Sequence, residues 1–203
     1  MENKEIFLSH KLVEFVAREI IMNNTDEKIQ TALLVLMKEK SLEEITIMAI
    51  ADYSKVNRTT VYRHYVNKLA ILEAIENDIL NGLDKIDQYG ISEEDDRSQV
   101  LKVLESINEK RAIITILLSP NGDSKFYDSF VNFLTAKGLK TIENSHRFNG
   151  LDSRQKELLA QYISSALLGL VKYWLSHPEM SVEELDTFFE KLFRKGISSF
   201  TAH

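Results

Sequence analysis

The sequence has no cysteine, and only two prolines and seven glycines among its 203 residues. Without cysteine there can be no disulfide, no thiolate nucleophile and no cysteine metal site, which fits a reducing cytoplasm. The scarcity of proline and glycine argues against many hairpin turns and favours long helices. Because 44% of the residues are hydrophobic, the chain can bury a core, and we expect a soluble all-α protein of one or two domains.

Long apolar runs are also lacking. No stretch of about 18 apolar residues is present, which predicts that no segment spans a membrane. Near the N-terminus, Glu14, Arg18 and Glu19 interrupt the apolar residues, so the layout differs from that of a signal peptide. We therefore expect a cytoplasmic protein without a membrane partner.

Residue patterns typical of catalysis are missing as well. The histidines are dispersed, and neither a G-x-S-x-G nucleophile elbow nor a glycine-rich phosphate loop occurs. Glu43 and Glu44 are adjacent, so their carboxylates would diverge on a helix instead of working as a pair. We expect no enzymatic activity, no cofactor and no metal site.

Apolar periodicity divides the chain into an N-terminal extension at 1–25, a segment at 26–72 and a longer segment at 73–203. In the extension, five apolar residues share one helical face, namely Leu8, Leu12, Phe15, Val16 and Ile20. This pattern favours an extra N-terminal helix. An equally good alternative is that the natural protein begins near Met22 and that the preceding residues are an upstream extension.

The segment 26–72 predicts a short helix, a tight turn at YSKV (53–56) and a second short helix, enclosed between two longer helices. Short helix, turn and short helix form the layout of a helix-turn-helix, whose second helix enters the major groove of DNA. The predicted helices are Asp26 to about Lys40, a helix capped by Thr46, a helix capped by Asn57 and ending near Tyr65, and a helix capped by Asn67 and reaching Ile86.

The segment 73–203 predicts further helices after the polar stretch GISEEDD at 90–96. Their approximate ranges are 98–109, 111–118, 124–145, 154–177, and a last helix opened by the capping box of Ser181 and Glu184. The last two helices are so apolar that we expect them to pair with a second copy of the chain. The residues expected at this dimer interface are Leu167, Leu170, Trp174, Leu185, Phe188, Phe189, Leu192 and Phe193.

A basic strip, residues 53–68, carries four Lys/Arg and no carboxylate, although the whole chain has a formal charge of −6. Phosphates need cations and hydroxyl donors, and the strip offers Lys55, Thr60, Tyr62, His64 and Lys68. Base edges need directional donors, for which Arg58 and Arg63 are the best candidates, while Thr59 is placed to touch a thymine methyl. A charge run is often just a solvated helix face, but the preceding capped helix and turn favour DNA binding here.

The stretch TIMAIADYSKVNRTTVYRHYVNKLAIL at 46–72 resembles the N-terminal signature of the TetR (tetracycline-repressor) family. The matching positions are Ile50, Ala51, Val56, Asn57, Thr60, Tyr62, Tyr65 and Lys68. The resemblance implies that phosphate is met by Thr46, Thr60, Tyr62, His64 and Lys68, and that the bases are faced by Arg58, Thr59 and Arg63.

Two departures from the family pattern lie inside this signature. Ser54 and Lys55 stand where the family often has Ala-Gly, and Thr59 stands where it often has Gly. A side chain in place of the turn glycine costs on the order of 1 kcal/mol if φ is positive there. Thr59 adds bulk at the groove, so base preference is expected to differ from that of relatives.

The C-terminal stretch at 167–193 is similar to a TetR subgroup of low-GC Gram-positive bacteria, some members of which control dihydroxyacetone kinase genes. This implies a homodimer joined by its last two helices. It also implies a small-molecule effector that acts through the fourth helix and changes the spacing of the two helix-turn-helix segments, one per subunit, which we call the DNA-reading heads. Any single aromatic residue among those proposed for an effector pocket is more often a core residue. The proposed residues are Phe126, Tyr127, Phe130, Phe133, His146, Tyr162 and Trp174.

The resulting hypothesis is a ligand-responsive repressor that binds a near-palindromic operator in double-stranded DNA as a dimer. Two alternatives have the same fold: a transcriptional activator, and a helical partner-binding or effector-sensing protein that does not bind DNA. The basic character of Arg58 and Arg63 argues against the second, because a head that no longer reads DNA has no need of them.

Overall fold

The computed structural model describes residues 24–86 and 96–196, and within them every regular element is helical. The expected all-α fold is confirmed. The helix expected within 1–25 and most of the stretch at 90–96 lie outside the described residues. The chain divides into two compact units, Met1–Asp78 with Ile116–Asp123, and Ile79–Thr115 with Ser124–His203. This division differs from the boundary that the sequence predicted after residue 72.

The first unit is built on four helices around one small core. They are α1 (Thr25–Met37), α2 (Ile47–Ser54), α3 (Arg58–His64) and the first part of α4 (Lys68–Ile86), which ends in the second unit. A 3₁₀ turn at Leu42–Glu44 precedes α2. The core takes residues from all four helices, and its fully buried members include Ile29, Leu33, Met37, Ile50, Val61, Ile71 and Leu72. These helices follow the predicted order.

α1 ends three residues earlier than the apolar pattern suggested. The helix was expected to end near Lys40, but the backbone N–H of Lys38 already donates to the carbonyls of Val35 and Leu36. Ser41 then opens the 3₁₀ turn through a capping box with Glu44. Side chains that hydrogen-bond their own backbone compete with helix continuation, so the helix stops before them.

The second unit contains α5 (Asp96–Glu109), most of α6 (Arg111–Leu117), α7 (Ser124–Asn144), α8 (Ser153–Leu175) and α9 (Val182–Lys195). α7 packs along α8, and α9 packs on α5. The predicted capping box of α9 is confirmed, with Glu184 N–H donating to Ser181 Oγ at 3.1 Å. α8 is long and apolar enough to cross a membrane, but seven of its residues are buried inside this unit, as in the core helix of a globular protein.

Arg111 fastens α6 to the C-terminal end of α8. Its guanidinium lies 4.4 Å from the centre of the Trp174 ring and donates to the carbonyl oxygens of Trp174 and His177. The last carbonyls of a helix have no partner within the helix, so a cation that reaches them satisfies them and opposes the helix dipole. The indole N–H of Trp174 in turn donates to the carbonyl of Met180 at 2.9 Å, which fixes the turn towards α9.

A tight turn after α6 requires glycine at position 122. The backbone N–H of Gly122 donates to the carbonyl of Ser119 at 2.9 Å, and a Cβ on Gly122 would overlap the carbonyl oxygen of Leu117. The turn leads into Asp123, which lies in the first unit together with most of α4. It therefore brings a negative charge to the side of α4.

Glu76 on α4 is the acidic group that this charge affects. One oxygen of its carboxyl is buried without a hydrogen-bond partner among the described residues. Burial, followed by the negative charges of Asp123 and Glu73, raises the pKa of Glu76 to about 7. The ionised form is therefore unfavourable in the folded protein.

We predict that Glu76→Gln removes a loss of stability at alkaline pH. The folded chain holds the Glu76 proton more tightly than the unfolded chain, so its contribution to stability is full below about pH 4.5 and is lost as pH rises through about 7. At pH 8 the variant should exceed the wild type by on the order of 1 kcal/mol, a figure discounted for the partial exposure of the group. Urea unfolding at pH 5 and pH 8 measures this difference.

The matched control is Glu73→Gln, which neutralises an exposed carboxylate three residues earlier on the same helix. It should change the pH dependence much less. Equal stability differences between Glu76→Gln and the wild type at the two pH values would contradict the assigned role of this carboxyl.

Candidate nucleic-acid interface

Side-chain caps hold both short helices of the first unit at their N-terminal ends. Thr46 Oγ1 accepts the backbone N–H of Ala49 at 3.1 Å, and Asn57 Oδ1 accepts that of Thr59 at 2.9 Å. Both caps are those that the sequence predicted. They satisfy N–H groups that have no partner within the helix, which matters most in helices of only eight and seven residues.

The turn between α2 and α3 is shorter than predicted. Tyr53 and Ser54 belong to α2, and the chain reverses at Lys55, whose φ is 57° and ψ is 28°. Lys55 is the one non-glycine residue with positive φ in the described ranges. The missing turn glycine was expected to cost stability if φ is positive there. This condition is met, because Lys55, a residue with a Cβ, occupies the left-handed region.

α3 presents a polar and basic outer face. Arg58, Thr59, Tyr62 and Arg63 are exposed, whereas Val61 on the opposite side is fully buried. No acidic residue occurs in the helix. The predicted base-facing residues therefore share the exposed side of a helix that the core holds by its other side.

Arg58 and Tyr62 are paired along this exposed face. An N–H of the Arg58 guanidinium donates to the Tyr62 hydroxyl at 3.4 Å, and its carbon lies 5.4 Å from the centre of the Tyr62 ring. The ring limits the directions that the arginine can take. It also leaves several of the five guanidinium donors available for an outside acceptor.

The C-terminal end of α3 is fastened to α1. His64 Nδ1 lies 3.0 Å from a carboxylate oxygen of Asp26, and the Tyr65 hydroxyl accepts a hydrogen bond from Gln30 Nε2 at 3.0 Å. Protonation of His64 would turn the first contact into an ion pair. The sequence predicted a phosphate contact for His64 but gave no sign of either partner, because both lie 35 or more residues away.

Lys68 has internal partners. Its ammonium donates to the carbonyl oxygens of Glu43 at 2.8 Å and Ile45 at 2.7 Å, beside the start of α2. The sequence and the family resemblance implied a phosphate contact for this residue. In the structure, two of its three donors are directed at the protein itself.

A small groove lies beside the turn, between α1 and the end of α2. Its volume is about 130 Å³, and the lining residues are Lys28, Thr31, Ala32, Tyr53, Ser54 and Lys55. Among residues 24–86 and 96–196, no group of three His, Asp or Glu side chains is arranged to hold a metal ion.

The residues predicted for an effector pocket lie at different depths in the second unit. Phe126 and Phe130 are fully buried with ring centroids 5.6 Å apart, and Trp174 is also fully buried. Tyr162 is 63% exposed, and His146 is exposed in a 3₁₀ turn. The remaining two, Tyr127 and Phe133, are half-buried beside Lys172 and Lys137. The structure thus joins the two phenylalanines of the core but does not bring the two exposed residues to them.

The residues predicted for a dimer interface also separate by burial. Leu167, Trp174, Leu185 and Phe189 are buried within this chain. Phe188 is 39% exposed, Leu170 and Leu192 are half-buried, and the Phe193 side chain lies outside the described residues.

An exposed apolar stripe on α8 was not predicted from the sequence. Leu158, Tyr162 and Tyr173 are 63%, 63% and 58% exposed, and Ser165 and Gly169 lie between them on the same face. A Cβ added at Gly169 would meet nothing within 4 Å in this chain. The spacing of four, three, four and four residues was visible in the sequence. The sequence did not show which of the two apolar faces of α8 turns inward, because both faces have the same apolar periodicity.

Comparisons with known proteins agree with this layout. Residues 29–75 match the family profile described as bacterial regulatory proteins, tetR family, and residues 95–195 match the profile described as transcriptional regulator C-terminal region. Over 160 residues the chain is 22% identical to the uncharacterized HTH-type transcriptional regulator YxbF of Bacillus subtilis (strain 168), covering 75% of this chain. The chain spans only 40% of the length of that curated relative.

Two solved structures share the fold. The dihydroxyacetone kinase operon activator DhaS superposes with a TM-score of 0.57 at 17% identity, over 88% of this chain and 98% of its own. NalD, the secondary repressor of the MexAB-OprM multidrug efflux pump in Pseudomonas aeruginosa, gives 0.61 at 19% identity, over 86% and 96%. At such identities the likeness concerns the fold alone.

We predict that Lys55→Gly raises the free energy of unfolding by about 0.5–1 kcal/mol, because glycine takes a positive φ without the clash of a Cβ. Lys55→Ala is the matched control: it also removes the ammonium but keeps the Cβ, and it should bring no such gain. Urea denaturation of the two variants separates backbone strain from charge. A gain of equal size in both variants would contradict strain at this turn.

Proposed function

The chain belongs to the TetR family of transcriptional regulators, and on this premise we propose that it is a homodimeric, ligand-responsive repressor that binds a near-palindromic operator through residues 46–68. The observation that carries the proposal is the exposed face of α3. Arg58, Thr59 and Arg63 stand on a capped helix without acidic residues, held to the core by Val61. Such a face fits the major groove of double-stranded DNA.

Base recognition falls to the two arginines and the threonine. Arginine donates two parallel hydrogen bonds to O6 and N7 of guanine, the commonest specific contact in the major groove. Arg58 is held against Tyr62, so little side-chain freedom is lost when it meets a base. Thr59 offers a methyl group and a hydroxyl beside it.

Phosphate contacts position the head on the duplex. The residues that we propose for them surround α3 and are Thr46, Lys55, Asn57, Thr60, Tyr62 and His64. Lys55 and Arg63 add positive charge to a head in which residues 22–72 carry seven Lys/Arg against six Asp/Glu, whereas residues 73–203 carry fifteen against twenty-one. DNA would be repelled by the acidic remainder, so the protein docks by its first unit.

The exposed apolar stripe of α8 supports the proposed dimer. Three large side chains, Leu158, Tyr162 and Tyr173, stand in solvent on a helix whose other side is already buried. Gly169 in the middle of the stripe lets two backbones approach closely. The two DNA-binding units of a dimer must lie about 34 Å apart to read successive half-sites.

The effector acts on the second unit in this proposal. α4 begins in the first unit and ends in the second, with the division at Asp78 and Ile79. A small rotation of α4 would therefore move the head. Such pivots change the separation of two half-site readers enough to abolish binding.

The activator alternative has a specific reason to be kept. Both an operon activator, DhaS, and a repressor, NalD, share this fold. The sign of regulation depends on where the operator lies relative to the promoter. Transcription from an operator-bearing promoter in the presence and absence of the protein distinguishes the two.

Selection of bound duplexes from a random library by the purified full-length protein tests DNA binding. The proposal expects a palindromic consensus, with log K falling steeply against log salt concentration. Failure to enrich any sequence, with the first unit folded and effector removed by unfolding and refolding, would favour the partner-binding alternative.

We predict that Arg63→Ala relaxes base preference at one position per half-site, by roughly 1–3 kcal/mol. Affinity for the selected operator should fall, whereas affinity for random duplexes should fall much less. Fluorescence anisotropy with operator variants measures both. Arg147→Ala, which removes an exposed arginine of the second unit, is the control and should alter neither. Equal losses on operator and random DNA would contradict base reading by Arg63.

We predict that the double variant Leu158→Asp, Tyr162→Asp is monomeric at concentrations where the wild type is dimeric. Two carboxylates on each facing stripe would repel each other and lose the apolar burial. Sedimentation equilibrium measures the association, and circular dichroism should stay unchanged because both positions are exposed. Asn132→Asp adds a carboxylate at an exposed position on α7 and should leave the dimer intact. A dimeric double variant would place the interface elsewhere.

A further inference from the structure

Lys68 joins the two ends of the helix-turn-helix. It is the first residue of α4, so it follows α3 in the chain by one short turn. The carbonyls that its ammonium contacts, those of Glu43 and Ile45, come just before Thr46, the cap of α2. The side chain thus bridges the chain entering the reading head and the chain leaving it.

The geometry points to Lys68 as a positioning residue for base recognition. We infer that its two hydrogen bonds close residues 46–67 into a ring and fix the direction of α3. This inference rests on the proposed DNA-binding function. It departs from the role that the family resemblance implied for the residue.

Three observations support the assignment. Both donor–acceptor distances are short, 2.8 and 2.7 Å, as expected for hydrogen bonds from a charged donor. The residue is half-buried, whereas Lys55 and Arg63 in the same strip are exposed. The two carbonyls also stand at the end of a 3₁₀ turn, where carbonyls lack partners within the turn.

The ring matters because α2 and α3 have few other restraints. Lys68 spans 23 and 25 residues of sequence with its two hydrogen bonds. Without them, α2 would be held at its start only by the Thr46 cap and by packing. The base-facing side chains would then sample a wider range of directions, and specific contacts would lose more than phosphate contacts, which tolerate displacement.

The test compares four full-length proteins: the wild type, Lys68→Ala, Lys68→Gln and Lys55→Ala. Each is titrated with the selected operator and with a random duplex at several salt concentrations. The measured quantities are the ratio of the two affinities and the slope of log K against log salt. The slope counts the phosphates neutralised, at about 0.9 for each contact.

Lys68→Ala should lower the operator-to-random ratio about tenfold while leaving the slope within a few tenths of the wild type. Lys68→Gln should recover part of the ratio, because an amide N–H can donate to one carbonyl although it carries no charge. Lys55→Ala should do the reverse, reducing the slope by about 2 per dimer with little change in the ratio. Loss of folding stability alone would lower the affinity for both duplexes equally and leave the ratio of the two affinities unchanged.

A reduced slope with a preserved ratio in Lys68→Ala would overturn the inference and restore the phosphate role. Amide hydrogen exchange in the absence of DNA gives an independent readout. Lys68→Ala should exchange faster at residues 46–64 and at the wild-type rate in α7 and α8, and unchanged protection of 46–64 would also overturn the inference. If the wild type enriches no DNA, the proposed function fails, whereas the exchange comparison still decides whether Lys68 closes the ring.

Discussion

Val61 is the side chain on which the reading head depends. α3 has seven residues, far fewer than the roughly 12–15 that an isolated helix needs in water, and Val61 is its one fully buried residue. The outer face must stay polar to meet DNA, so the helix cannot gain stability by burying more of itself. Every other restraint on α3 therefore has to act at its ends.

The ends of α3 are restrained by four different side chains. Asn57 caps its beginning, while Tyr65 and His64 contact Gln30 and Asp26 of α1 at its end. Lys68, which follows α3 in the chain, donates a hydrogen bond to the carbonyl of Ile45 at the start of α2. Hydrogen bonds of this kind contribute roughly 0.5–1.5 kcal/mol each, so their combined effect is comparable to burying one large side chain. These contacts at the two ends hold α3 in place and leave its polar outer side available to DNA.

Local features of this arrangement could be predicted from the sequence, and distant ones could not. The caps Thr46, Asn57 and Ser181 act on backbone groups two or three residues away, so the motif itself contains both partners. The contacts of His64 and Lys68 reach 23 to 38 residues along the chain, and their acceptors include backbone carbonyls, which every residue has. Residue type and the family resemblance both implied a phosphate contact for these two residues.

The same limit applies to the exposed apolar stripe on α8. A helix that is apolar on two faces has the same periodicity whichever face turns inward, so Trp174 and Tyr173 were equivalent in the sequence. The structure distinguishes them, because Trp174 donates to Met180 and lies under Arg111, whereas Tyr173 stands in solvent. The neighbours that decide the inner face come from α6, α7 and the turn to α9, which the pattern of α8 does not contain.

α4 connects these observations to regulation. Its first residue, Lys68, donates hydrogen bonds to the chain before α2. Glu76 lies two turns later, and both burial and the negative charge of Asp123 oppose ionisation of its carboxyl. If Lys68 makes the head and the start of α4 one rigid body, then a movement of α4 displaces α3 without bending it. The base-facing side chains would keep their mutual arrangement while the distance between the two heads of a dimer changes. An effector could then release the operator by altering spacing alone, which needs a displacement of only a few ångströms over a half-site separation of about 34 Å.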